Sequence, residues 1–445
     1  MILNSLKRFF LKEDYDLERP DIDLYNFHPQ LRVFIVPMGI FFNHKDSLFR
    51  YVWPVFSIKL CMVGIGLELI FIYHGLDVKD YNFAIECFCY LVILGANPLV
   101  YVGMLMNRSS VLEILDSMNE DFIYIGKLDA KYRDVFLKDQ LLIWKLCYMW
   151  ITFGIVVGLA FISMTLVPLT YLSLFGTVNE FTIRPLIFPT WLPEGDPYSS
   201  PIYELFLLMQ IFYVANYIQT FVVYVYIQFH VLLHNVNLLG LIVIDFEGLF
   251  EGLDGSVAKL PKHDERRLAV QVILNSRMKR IVTWHTSVVR SIVNLSQVHG
   301  PPLVYQVLFS PVAWCLTLYR VADKLDEGKY DFLSAILLFA ALLQLGIPCC
   351  LGTTLINKAF EVCDACWNCG WQETPLGSLV RNDILIILLR TQQPLSIKFT
   401  GLPQLSLETY SSVGTYIQKL FNELFGTALY CHSSAVRLVW VFDSK

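Results

Sequence analysis

The chain alternates long blocks of hydrophobic residues with shorter polar stretches. An α-helix needs roughly 20 predominantly apolar residues to cross a bilayer, and seven segments reach or approach that length. The pattern therefore predicts an all-α, polytopic membrane protein with seven transmembrane helices. The predicted spans are Tyr51–Tyr73, Phe83–Met106, Leu141–Val167, Ile202–Phe229, Val293–Val321, Phe332–Ile356 and a last unit from Val380 onward, so that residues 51–356 contain the first six.

The composition agrees with this interpretation. The chain of 445 residues is 55% hydrophobic and only 16% charged, whereas globular proteins carry about a quarter of charged residues. The net charge of −5 and the lack of a basic cluster give no indication of a nucleic-acid partner. Residues 1–50 carry charges of both signs and start with no cleavable apolar run, so we expect a cytoplasmic N-terminal segment without a signal peptide.

The last hydrophobic unit is interrupted near its middle. Pro394, Gly401 and Pro403 follow the apolar run Ile384–Leu389, and proline and glycine both interrupt helices. The sequence predicts two helical pieces with an irregular joint. Irregular backbone at membrane depth survives only when it packs in protein or lines a cavity, so this unit is a candidate pore or binding site.

Basic residues are concentrated on one side of the predicted membrane. Residues 1–50, 107–140 and 230–292 contain most of the lysines and arginines, and the connections on the other side contain few. The positive-inside rule then predicts a cytoplasmic N-terminus. Apolar residues at helical spacing within residues 264–292 further predict that 230–292 is a long, helical cytoplasmic connection.

A G-protein-coupled receptor is the first alternative for a chain with seven spans. Asn97–Tyr101 fits the NPxxY pattern of that class, but it lies on the second predicted span rather than the seventh. The connection Pro168–Pro201 contains no cysteine for the usual outer disulfide. The predicted topology is also the reverse of that class, and a proline kink is the simpler interpretation of Asn97–Tyr101.

The closing run PLSIKFTGLPQLSLETYSSV, together with the inverted seven-span plan and the long fourth connection, resembles the insect odorant receptor family. The resemblance implies an odour-tuning subunit of a ligand-gated cation channel. It further implies a heterotetramer with a shared co-receptor, in the plasma membrane of sensory neuron dendrites, and detection of small volatile molecules. A gustatory-type channel is the nearest alternative, and Leu405–Thr409 favours the odorant side.

The resemblance also implies where the sites lie. Residues 357–413 would hold a cytoplasmic anchor, Val380–Leu395, and the start of a pore helix. Candidate pore residues are Leu405, Thr409, Ser412 and Val413. The odorant pocket would occupy the outer halves of the second, third, fourth and sixth spans, with Phe88, Tyr90, Gly158, Ile162, Phe206, Met209, Tyr213, Phe339 and Leu342 as candidate ligand-binding residues. Aromatic and methionine side chains with no obvious charge predict an uncharged, apolar ligand.

Residues 414–445 depart from the family pattern. Where the resemblance implies an apolar gate, this chain has Lys419, Asn422 and Glu423, although dewetting gates require apolar residues. We expect an atypical tail, either from a gene-model or splicing artefact or from an isoform with altered conduction.

Other chemistry is sparse in the sequence. Cys363, Cys366 and Cys369 have metal-ligand spacing but lack a fourth ligand nearby. His230 and His234 lie four residues apart without an evident third ligand. No nucleophile elbow, phosphate loop or paired-acid motif is present, so we expect neither an enzyme nor a cofactor or metal. Glu68 and Glu86 are candidates for functional carboxyl groups because ionisable residues in spans are expensive.

Overall fold

The computed structural model describes residues 22–40, 48–175, 184–326, 328–330, 332–393, 395–397 and 404–429, with the backbone alone for 173, 418 and 420–429. Helices account for most of these residues, and the described ranges contain no strand. The predicted all-α class is therefore confirmed. The α-helices in chain order are α1 Leu24–Phe27, α2 Gln30–Ile35, α3 Val52–Asp77, α4 Tyr81–Met106, α5 Arg108–Gly126, α6 Ala130–Phe175, α7 Ile202–Glu247, α8 Glu265–Asp326, α9 Phe332–Asn368, α10 Gly377–Thr391 and α11 Leu407–Leu429.

Six of the described helices, namely α3, α4, α6, α7, α8 and α9, are long and apolar enough to cross a membrane. The predicted starts at Ile202 and Phe332 coincide with the first residues of α7 and α9. Helices α6 and α7 have 46 residues and α8 has 62, which at 1.5 Å per residue gives roughly 70 to 90 Å. Since a hydrocarbon core is only about 30 Å thick, these three helices project well beyond it.

Helix α7 is the central helix of the bundle. Its residues from Thr220 to Leu232 are all buried. A helix that is apolar on every side must be surrounded by others, and α7 packs against α6 and α9 and also contacts α4 and α8. Helix α4 packs against both α3 and α8.

The last hydrophobic unit consists of two helices, α10 and α11. Helix α10 packs against α9 and α8, and α11 packs against the same two helices. Pro394, Gly401 and Pro403, the residues that predicted the joint, lie outside the described residues. Residues 414–429 continue α11, and 430–445 lie outside the described residues.

Candidate functional site

Three small cavities lie side by side at the end of the bundle where residues 184–201 run. The first, about 60 Å³, lies among α4, α6, α7, α8 and α9. The second, about 20 Å³, lies among α4, α6, α7 and α9, and the third, about 10 Å³, lies between α3, α7 and the connection 184–201. The first two share walls made by Ile93, Phe161, Tyr217 and Leu337, and the last two share Phe188 and Tyr213. Because neighbouring cavities share these lining residues, rotation of a few of the shared rings would join them.

Aromatic side chains contribute to the walls of all three cavities, as five of the ten residues that line the second cavity and four residues in each of the other two. The ring of Phe188 lies 4.4 Å from that of Tyr90 and 6.5 Å from that of Tyr213, measured between centroids. Phe161 and Tyr217 border the first and second cavities. Large, rigid rings offer contact area to a small apolar molecule at a low cost in conformational entropy, and an apolar pocket recognises its ligand by area and shape.

Gln210 of α7 holds the connection 184–201 against the bundle. Its side-chain oxygen accepts hydrogen bonds from the backbone N–H groups of Ile187 (2.8 Å) and Phe188 (3.1 Å). Its amide nitrogen donates to the carbonyl of Phe188 (3.1 Å) and to the hydroxyl of Thr190 (3.0 Å). Since Gln210 is buried, these bonds satisfy the polar atoms of its side chain as well as the backbone groups that it contacts. They place the ring of Phe188 between two of the cavities.

Further contacts fasten the same connection to the ends of the helices. The rings of Trp191 and His74 of α3 stack at 3.8 Å. The Tyr203 hydroxyl donates to the carbonyl of Pro185 at 2.9 Å. The described part of the connection is therefore held in place as a cover over the second and third cavities, whose linings include Phe188.

The structure brings four of the nine predicted ligand residues to the cavity walls, namely Tyr90, Phe206, Met209 and Tyr213. Gly158 and Ile162 lie one layer behind the walls, because Gly158 faces Ile218 and Ile162 packs against the same apolar cluster. The other three, Phe88, Phe339 and Leu342, line none of these cavities.

Each of those three has a different position in the fold. Phe88 is partly buried on α4. Phe339 is 54% exposed, and its ring packs edge-on against Phe153. Leu342 packs in the main core, where its carbonyl faces the hydroxyl of Tyr410 at 3.5 Å.

Several wall residues have no counterpart in the sequence analysis. Phe161, Tyr217, Tyr305 and Leu337 line the first cavity. Tyr217 lies one helical turn after Tyr213, so the spacing that identified Tyr213 also identifies Tyr217. Phe188 comes from the connection and had no sequence signal, because its place depends on distant hydrogen bonds to Gln210.

Two carboxyl groups lie at or near these cavities. Glu68 of α3 is only 4% exposed and lines the third cavity. Glu86 of α4 forms an ion pair with Arg320 of α8 at 2.6 Å. A carboxyl group is therefore part of a cavity wall, and an ion pair ties α4 to α8 close to the first cavity.

Helix α11 has one packed face and one polar face. Tyr410, Val413 and Ile417 face the bundle, where Tyr410 lies 6.0 Å from Trp314, between ring centroids. The opposite face is exposed in this single chain, and its polar residues recur at helical spacing as Glu408, Ser412, Thr415 and Lys419. This amphipathic pattern explains why α11 is not among the six described helices that are long and apolar enough to cross a membrane.

The four predicted pore residues fall on different faces. Ser412 lies on the exposed polar face, Thr409 and Val413 are partly buried, and Leu405 is buried. Leu405 precedes α11 and lies so close to α9 that a Cβ built on Gly352 would be 2.3 Å from its carbonyl oxygen. Glycine at 352 is thus required for this contact.

The other polar candidates have structural partners. His234 lies 3.2 Å from both the Gln140 amide nitrogen and an Asp121 carboxyl oxygen. Within the described ranges, no group of three or more His, Cys, Asp or Glu residues is arranged to hold a metal ion. Away from the cavities, Arg280 binds the buried Asp245, whose carboxylate also accepts from Tyr132 at 2.6 Å.

A family model of the 7tm odorant receptors matches residues 81–416. The chain belongs to this family. Odorant receptor 13a of Drosophila melanogaster is 25% identical over 187 residues, 40% of this chain and 44% of that receptor. Odorant receptor 67c of the same species is 25% identical over 133 residues, 30% of this chain and 32% of that receptor. This odorant receptor thus aligns with less than half the length of either relative.

Solved structures show the same fold. The olfactory receptor OR5 from Machilis hrabei superposes with a TM-score of 0.64 at 16% identity, covering 90% of this chain and 98% of that one. The same receptor in complex with eugenol gives a TM-score of 0.69, also at 16% identity, covering 91% and 98%. The odorant receptor described here is accordingly a multi-pass membrane protein.

Proposed function

We propose that this odorant receptor is an odour-tuning subunit of a ligand-gated cation channel. The channel would be a heterotetramer with a shared co-receptor, in the plasma membrane of sensory neuron dendrites. The observation that carries the proposal is the group of aromatic cavities beneath the connection 184–201, because such a space suits a small volatile molecule. Family membership is the reason for preferring this function to a gustatory-type channel or a G-protein-coupled receptor.

The ligand site that we propose is narrower than the set expected from the sequence. It comprises Tyr90, Phe161, Phe188, Tyr213 and Tyr217, which all border the second cavity, and of these Phe161 and Tyr217 also border the first. Spaces of about 60 and 20 Å³ are too small for a volatile of ten heavy atoms. Binding would therefore rotate aromatic side chains and join the cavities.

Helix α9 would transmit that movement to the pore. Leu337 borders the first two cavities, and Gly346, further along α9, lies against the ring of Tyr410 of α11. The polar stripe Glu408–Lys419 supports a role for α11 in a water-filled path, since charged residues at membrane depth are tolerated when they face water. In the assembled channel this stripe would line the pore, with the N-terminus of each chain in the cytoplasm.

Whole-cell current tests the proposal. Cells would express this chain with and without the co-receptor, and each would receive a broad panel of volatiles. A parallel chain would carry a family-like tail in place of residues 414–445. We expect odorant-evoked cation current only with the co-receptor.

Each departure from that result has a distinct meaning. Current only from the chain with the replaced tail would identify residues 414–445 as the defect. Current from this chain alone would contradict the tuning-subunit role. Silence from both chains, with surface expression verified by labelling, would contradict the proposed function.

A further inference from the structure

The third cavity has a carboxyl group in its wall, and the linings of the other two cavities contain none. Glu68 lies on the buried face of α3, one helical turn after Gly64. The end of the Tyr213 ring rests on Gly64, so that a Cβ built there would be 3.0 Å from the Tyr213 hydroxyl oxygen. Gly64, Glu68 and Tyr213 all line the cavity. A carboxyl group and a phenol hydroxyl thus border the same small space.

Both groups have unused hydrogen-bonding capacity. The Oε2 atom of Glu68 and the hydroxyl of Tyr213 are buried and have no hydrogen-bond partner among the described residues. Leaving a buried polar atom unpaired is costly, and native proteins do so rarely. Two such atoms in the wall of one cavity indicate that a ligand, or a water in its place, completes their bonding.

A second acid, Glu86, is the nearby charged group that acts on Glu68. Arg320, the cation in this region, is already paired with Glu86 at 2.6 Å. The lining of the third cavity includes no basic residue. A carboxylate without a cation is expensive in apolar surroundings, whereas a neutral carboxyl group can both donate and accept a hydrogen bond.

The depth and size of the cavity restrict what can bind. Glu68 lies nine residues before the end of α3 at Asp77, or roughly 14 Å along the helix axis, so the group is inside the bundle rather than at its surface. The cavity of about 10 Å³ is close to the minimum that holds one water. It can therefore take one oxygen-sized group but no bulky head group.

We propose that the third cavity binds the hydroxyl group of an alcohol or phenol odorant. The hydroxyl would exchange hydrogen bonds with Glu68 and Tyr213, and the apolar remainder would extend past Phe188 into the aromatic cavities. This inference rests on the proposed function and adds to it the chemical class of the ligand. A hydroxyl suits the site because its single oxygen atom can both donate a hydrogen bond and accept one, and can thus bond to Glu68 and Tyr213 together.

Matched pairs of alcohols and methyl ethers test the inference. Cells expressing the receptor with the co-receptor would receive 1-hexanol, 2-phenylethanol and phenol, and the methyl ether of each. Hexylamine, ketones, esters and terpenes would complete the panel. We expect half-maximal current at a concentration at least tenfold lower for the best alcohol than for its ether.

Two substitutions should remove that preference. Glu68→Leu and Tyr213→Phe should each raise the half-maximal concentration of the alcohol about tenfold and leave that of the ether nearly unchanged. Glu68→Gln keeps the volume and both hydrogen-bonding functions, so it should retain much of the preference and it controls for folding. Glu194→Leu and Tyr171→Phe make the same chemical changes at exposed positions and should have no effect.

Every other pattern overturns the inference. Ethers, esters or ketones as potent as the alcohols, or an alcohol preference that survives both Glu68→Leu and Tyr213→Phe, would exclude a hydroxyl subsite. A response to hexylamine well above that to hexanol would identify an ion pair with an ionised Glu68 instead. Silence to the whole panel, with both subunits at the cell surface, would contradict the proposed function itself and remove the basis of the inference.

Discussion

Replacing Gln210 by leucine should release the connection 184–201 from the bundle. The Gln210 amide makes four hydrogen bonds to residues 187–190, at 2.8 to 3.1 Å. At about 1 kcal/mol per bond, their sum is about 4 kcal/mol. That sum is an upper limit, because water satisfies the freed backbone groups once the connection moves away. We expect about half of it, ~2 kcal/mol, or a roughly 30-fold larger population of the released state.

Cysteine labelling measures this population directly. Ile187 is 5% exposed, so Ile187→Cys gives a thiol that reacts only after release and keeps the backbone N–H that Gln210 binds. In permeabilised cells the initial rate of maleimide labelling would be compared with and without Gln210→Leu. The labelling of the native cysteines, measured in the chain without Ile187→Cys, would be subtracted from each rate. The prediction is a roughly 30-fold faster reaction in the double variant.

The matched control is Gln219→Leu, nine residues further along α7. The Gln219 amide nitrogen is buried without a hydrogen-bond partner among the described residues, so its loss should not release the connection. Equal labelling rates for the Gln210 and Gln219 variants, both on the Ile187→Cys background and at equal abundance, would show that the Gln210 hydrogen bonds do not hold the connection in place.

Two further predictions concern the pore segment and the bundle far from the cavities. Gly352→Ala should reduce the maximal odorant-evoked current several-fold at unchanged surface abundance, because its Cβ would lie 2.3 Å from the Leu405 carbonyl and must push that segment away. Arg280→Met should destabilise the protein by about 3 kcal/mol, seen as a lower thermal midpoint in detergent, because Asp245 is 2% exposed and would lose its cation.

Controls for both exist in the same chain. Gly66 has open space where a Cβ would be, so Gly66→Ala should leave the current unchanged. Arg290 forms only an exposed ion pair with Glu113 at 3.7 Å, so Arg290→Met should barely change the midpoint. Full current from Gly352→Ala would contradict the close contact between Gly352 and the Leu405 carbonyl. Equal thermal midpoints for the two arginine variants would contradict a stabilising ion pair between Arg280 and Asp245.

Helix positions could be predicted from the sequence because the length of an apolar block indicates the length of the membrane-spanning segment. The starts of α7 at Ile202 and α9 at Phe332 were correct to the residue. The same property hides which side of a span faces the ligand. Phe339 and Leu337 lie two residues apart in one apolar block, yet Phe339 is 54% exposed and Leu337 lines two cavities. Periodicity carries no information where every position is apolar.

Contacts between distant segments could not be predicted from local patterns. Phe188 reaches the cavities because Gln210, 22 residues later, binds its backbone. Glu68 can be identified from the sequence as an ionisable residue in a span, because that signal is local. Its position in a cavity wall beside Tyr213 depends on how α3 packs near α7, which the sequence of either helix alone does not specify.

If the aromatic cavities are the odorant site that opens the channel, a side chain that fills them should block the response to odorants. Ala341 of α9 lines the first cavity, so Ala341→Phe would place a ring in that space. The measurement is odorant-evoked current in cells that also express the co-receptor, normalised to surface abundance. We expect the wild-type response to be lost or shifted to at least tenfold higher odorant concentrations. An unchanged concentration dependence in the variant would exclude these cavities as the odorant site.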